Sequence, residues 1–96
     1  MLNNKQRKHL RVLANRINSI FQIGKAGISD NLIAQVDDAL EAREIVKVTV
    51  LKNSQLDVKE VCFELAHCTN SEPVQVIGNK FVLYRESRDH KKIQLD

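Results

Sequence analysis

The sequence predicts an α/β two-layer sandwich, a four-stranded mixed sheet assembled in the order α-β-α-β-α-β-β. Three observations carry this. Segments with apolar residues at helical three- and four-residue spacing alternate with short β-branched runs, the pattern of strand–helix–strand units. Of the three glycines, Gly24 and Gly27 stand where an extended run gives way to a helix, and Gly78 with Asn79 separates two apolar runs as a hairpin turn does. Finally, 96 residues with 43% apolar and 28% charged content suit one small core. Right-handed crossovers place helices on a common side of a sheet, so all helices are expected against one face.

Residues 3–18 read as the first helix, with Leu10, Leu13, Ala14 and Ile17 on one stripe and Lys5, Lys8, Arg11 and Arg16 around the rest. Residues 20–23 form a short strand. After the glycine loop, Ser29 or Asp30 can cap a helix that runs to about Arg43, buries Leu32, Ile33, Val36 and Leu40, and carries Asp37, Asp38 and Glu41 outside. Residues 44–51 alternate Val46, Val48 and Val50 on one side, which marks a strand. Ser54 and Asp57 have the spacing of a capping box for a third helix with Val58, Val61, Cys62, Leu65 and Ala66 inward. Pro73 opens a strand to Ile77, and residues 80–85 form the last. The whole chain is expected to be a single domain, residues 1–96, with 87–96 as a mobile tail.

The net charge of +3 conceals a strong asymmetry. Residues 1–29 hold six basic residues (Lys5, Arg7, Lys8, Arg11, Arg16, Lys25) and no acid, whereas the remainder holds nine basic and twelve acidic residues. An ordinary exposed helix mixes signs and gains i,i+4 pairs; the first helix forgoes them. A concentrated cationic face steers polyanions, and phosphates are the natural ligand. Arg85, Lys80, Arg88, Lys91 and Lys92 near the C-terminus can extend the patch, with Glu86 and Asp89 interrupting it. No run approaches the ~18 apolar residues of a membrane span, and the N-terminus lacks the apolar block of a signal peptide, so a cytoplasmic location is expected. Cys62 and Cys68, ~240° apart around a helix, cannot pair locally and read as small buried hydrophobes.

Gly24-Lys25-Ala26-Gly27 is the strongest local signal. A glycine loop opening a helix offers backbone N–H groups and the positive end of the helix dipole. It is not a Walker loop, since its lysine precedes the second glycine and no hydroxyl follows correctly. It matches the G-x-x-G with which KH domains clamp a nucleic-acid backbone, although the KH loop joins two helices and this one follows a strand. Asp30 at the helix start competes for the same dipole. Phe21, Phe63, Phe81 and Tyr84 suit core positions, with Tyr84 the single stacking candidate, so binding by phosphate contacts and shape is expected. His9, His67 and His90 lack ligand spacing, and no nucleophile–base pair is present, which argues against catalysis and implies neither metal nor cofactor.

Three runs in order, Ile23-Gly-Lys-Ala-Gly-Ile-Ser29, Ala39-Leu-Glu-Ala-Arg-Glu-Ile-Val-Lys-Val48 and Val76-Ile-Gly-Asn-Lys-Phe-Val-Leu-Tyr-Arg85, resemble the CRM domain, and in particular its stand-alone bacterial YhbY-like form. The resemblance covers about residues 2–86. It implies a fold similar to the C-terminal domain of translation initiation factor 3, RNA binding, and association with precursors of the large ribosomal subunit. It places the family's glycine loop on Gly24, Lys25, Ala26 and Gly27 and its basic surface on the first helix. The expected function is a non-catalytic, monomeric RNA-binding factor of ribosome assembly, with no small-molecule substrate. The alternative is a protein-interaction adaptor that presents the acidic surface of Asp37, Asp38, Glu41 and Glu44 to a basic ribosomal protein.

Overall fold

The computed structural model describes residues 2–95. The elements follow the predicted order: α1 (Asn4–Ala14), β1 (Phe21–Ile23), α2 (Asp30–Arg43), β2 (Ile45–Val50), α3 (Val58–Thr69), β3 (Glu72–Ile77) and β4 (Lys80–Tyr84), with a short 3-10 turn (Lys52–Ser54) before α3. The sheet is mixed and four-stranded, in spatial order β1-β2-β4-β3. β1 pairs parallel with β2, setting Ile23 beside Val50, while β4 runs antiparallel to both β2 and β3.

One side of the sheet carries the larger core. Ile23, Val46, Val48, Val50, Phe81 and Leu83 meet Val36 and Leu40 of α2 and Cys62, Leu65 and Ala66 of α3. This is the helical layer that the periodicity predicts. The first helix departs from it: Leu10 and Ala14 of α1 pack with Ile45, Val74, Val82 and Tyr84, which point to the opposite face. The expectation that all helices share one face is therefore corrected. α1 precedes the first strand, so no strand–helix–strand crossover constrains its side. The sign was present in Phe81-Val-Leu-Tyr84, four consecutive buried residues, because a strand covered on one face alternates and a strand covered on both does not.

Helix boundaries follow from capping. Asn3 and Gln6 form a reciprocal capping box at the start of α1, and the helix ends at Ala14 rather than running to Asn18. Ser29, not Asp30, caps α2 by accepting the Leu32 N–H at 3.1 Å. The supposed Ser54–Asp57 box is two devices: Ser54 accepts the Leu56 N–H within the turn, and Asp57 alone caps α3 through the Glu60 N–H. Each such cap contributes about 1 kcal/mol.

Residues 87–93 follow β4 and lie against α2. Ser87 is buried, and the segment lies as a strap against the carboxylates of Glu41 and Glu44. Ile93 and Leu95 then join Leu2 at the margin of the α1 core.

Candidate nucleic-acid interface

The glycine loop is a tight turn at one end of the sheet. The Gly27 N–H donates to the Gly24 carbonyl at 2.9 Å, which puts Lys25 and Ala26 at an exposed corner. Gly27 has φ +72°, where a side chain would be strained, whereas a Cβ on Gly24 would meet only Leu51 Cδ1 at 3.6 Å. One loop amide is thus spent on the turn itself. Asp30 in the first turn of α2 sets a carboxylate beside the same helix terminus.

α1 covers only part of its side of the sheet, over Ile45, Val74, Val82 and Tyr84. Toward the glycine loop, cross-strand pairing aligns Gln22, Thr49, Lys80 and Ile77 in one row on that same side. Lys47, paired with Val82, lies between the row and the helix. About 17 Å of β2 separates Ile45 under α1 from Val50 beside the loop. The loop and the basic helix are therefore not adjacent; an open stretch of sheet bearing Lys47 and Lys80 connects them.

The candidate cations fall into two groups. Lys5, Lys8, Arg11, Arg16 and Lys25 are exposed and form no ion pair among the described residues. Arg7 and Arg85 are engaged within the fold. The Arg7 guanidinium donates to the Pro73 carbonyl and reaches that of Val74, fixing α1 to β3. Arg85 pairs with the Asp37 carboxylate, donates to the Thr69 carbonyl at 2.7 Å and reaches the Asp37 carbonyl at 2.9 Å, joining β4, α2 and α3.

The acidic side is organised differently. The fully buried Glu44, at φ 69°, accepts the N–H groups of Ser87, Lys92 and Ile93 at 2.6–2.8 Å. Burial pushes its carboxyl up, but the N–H groups of Ile93, Ser87 and Lys92 outweigh that and hold it below the usual carboxylate range. Glu41 accepts the Ser87 hydroxyl and the N–H groups of Arg88 and Asp89, which hold its carboxyl down at about 2. Of the four acids that an adaptor surface would offer, Asp37, Glu41 and Glu44 are already bound within the chain.

The aromatic assignments also change. Tyr84, the stacking candidate, is 7% exposed and packs under α1, whereas Phe63, expected in the core, is 52% exposed on α3 beside Pro73 and Val76 of the edge strand β3. Cys62 is buried, and burial pushes its thiol up to about 11, while Cys68 is exposed. Sequence reasoning gave no weight to Arg43 and Lys47. Both line a groove of about 400 Å³ with Lys92, at the end of β2 where β1 has not yet begun.

A three-helix α/β module whose first helix and glycine loop carry cations without ion pairs among the described residues describes the class of protein. Comparison with known proteins then specifies it: residues 2–85 match the CRS1 / YhbY (CRM) domain, and the chain belongs to that family. It is 47% identical over 95 residues to "Probable RNA-binding protein YqeI" of Bacillus subtilis (strain 168), covering 99% of both chains. It is 32% identical over 94 residues to a Haemophilus influenzae protein named "RNA-binding protein", covering 98% of this chain and 94% of that one. The solution structure of a hypothetical protein from Staphylococcus aureus superposes with a TM-score of 0.83 at 53% identity, covering all of both chains.

Proposed function

We propose that this protein binds structured RNA without catalysis, as a monomeric cytoplasmic factor that associates with precursors of the large ribosomal subunit during ribosome assembly. The observation that carries the reading is the set of five exposed cations, Lys5, Lys8, Arg11, Arg16 and Lys25, left without carboxylate partners among the described residues. Relatives named as RNA-binding proteins that match this chain nearly end to end support the same ligand.

In this reading α1 and the loop corner grip phosphates at two ends of an open sheet, and Lys47 and Lys80 line the path between. With Tyr84 buried, the surface relies on charge and shape rather than on aromatic platforms along the sheet. Lys25→Ala is expected to weaken binding to a large-subunit ribosomal RNA fragment and to flatten the salt dependence by about 0.7–0.9 in log–log slope. Unchanged affinity and slope at matched salt would remove the loop from the interface. Co-sedimentation with ribosomal particles that survives full RNA digestion would instead favour a protein partner.

A further inference from the structure

We infer that the groove formed by Arg43, Lys47 and Lys92 over Ile17, Ile20 and Ile45 is an anchoring site for an RNA phosphodiester, separate from both the glycine loop and the exposed face of α1. The inference rests on the RNA-binding reading and deepens it. The groove exists because of a register detail. β1 starts at Phe21, opposite Val48, so the edge of β2 from Ile45 to Lys47 has no strand beside it. The chain passes there as residues 17–20, anchored by the Ile20 N–H on the Lys47 carbonyl at 3.1 Å.

Three cations converge on this notch from separate elements: Arg43 from the last turn of α2, Lys47 from β2 and Lys92 from the strap. Among the described residues none forms an ion pair and no carboxylate lines the groove. The nearest acid in sequence, Glu44, is fully buried and saturated by backbone N–H groups. Two of those belong to Lys92 itself and to Ile93, so the carboxylate that closes the strap also places Lys92. Like charges brought together from three elements repel one another unless an anion joins them. The three isoleucines supply an apolar wall for a sugar or base, which distinguishes a nucleotide from a simple anion. Glu44 is in this scheme a positioning residue.

The test uses the full chain and a fluorescein-labelled uridine dodecamer, followed by anisotropy between about 50 and 200 mM salt. Arg43→Ala/Lys47→Ala/Lys92→Ala is expected to lower the log–log salt slope by about 2, since each lost phosphate contact with a single strand removes about 0.7. Lys92→Ala alone is expected to lower it by about 0.7, and adding Glu44→Gln to Lys92→Ala to lower it no further. Amide resonances of Arg43, Lys47 and Lys92 are expected to shift during the titration. If the parent binds but the triple variant keeps its slope, with shifts confined to residues 24–27 and α1, the groove is overturned and the RNA-binding reading stands. If the parent does not bind the dodecamer or a large-subunit ribosomal RNA fragment at low salt, the RNA-binding reading itself fails. Equal occupancy by an oligoglutamate at matched salt would assign the groove to acidic protein segments and overturn the phosphodiester.

Discussion

The two charged regions of this molecule have opposite fates. On and just after α1 the cations Lys5, Lys8, Arg11 and Arg16 face solvent with no ion-pair partner among the described residues, while the carboxylates of α2 and its C-terminal boundary, Asp37, Glu41 and Glu44, are each bound within the chain. Composition treats both regions alike, as runs of one sign. What separates them is where the counter-charge or hydrogen-bond donor comes from. The carboxylates meet Arg85 and the backbone of residues 87–93, more than forty positions later, whereas among the described residues no ion pair reaches Lys5, Lys8, Arg11 or Arg16. Charge that closes a fold and charge that waits for a ligand are told apart by partners, not by counts.

The comparison can be broken most forcefully at Glu44. Glu44→Ala strips three N–H groups of their acceptor and is expected to destabilise the protein by about 2–4 kcal/mol in chemical denaturation. An unchanged midpoint would mean that the strap contributes nothing to the fold. Lys8→Ala/Arg11→Ala should do the reverse. Stability is expected to stay within about 0.5 kcal/mol, as for exposed sites without partners, while the salt slope for RNA binding falls by about 1.5. A clear loss of stability would show that α1 uses those charges internally.

Acid sharpens the contrast. Glu41 and Glu44 have carboxyls depressed in the folded state, so their contribution is complete above the unfolded carboxylate value near 4.5 and is lost as pH falls below it, for Glu41 through about 2. Amide resonances of Ser87, Arg88 and Ile93 are expected to move toward random-coil positions over that window, before those of the β4 core. The smallest effect belongs to Asp37→Ala. Its half-exposed carboxylate is one partner of several for Arg85, so a loss of about 0.5–1 kcal/mol is expected in thermal or chemical unfolding.

Much of the fold was legible because its signals are local. Alternation of Val46, Val48 and Val50, the stripe Val36–Leu40 on α2 and the Gly78-Asn79 turn each report a single element, and each stands where expected. The side of the sheet taken by α1 was harder, since a helical stripe states that a helix buries one face and not which surface covers it. Exposure of Phe63 escaped for a similar reason: it sits on an amphipathic helix, and which side is inward depends on neighbours distant in sequence. Of the candidate site, the loop and the free cations were readable from glycine spacing and the absence of acids. Arg7 and Arg85 look the same in sequence as Lys8 and Arg11, and only their carbonyl and carboxylate partners withdraw them. The Arg43–Lys47–Lys92 groove needed the register of β1 on β2, which no pattern in the chain announces.

Leu2, Ile93 and Leu95 all pack against one cluster, so segments about ninety positions apart close on each other across the α1 side of the sheet. That sets a timetable. The helical layer over β1 and β2 can begin to condense as soon as α3 has been made, but α1, although synthesised first, has no complete seat until β3 and β4 exist and the strap follows them. Loop-closure entropy over nearly the full chain delays that docking further. The basic helix is therefore expected to be the last element to acquire its native setting.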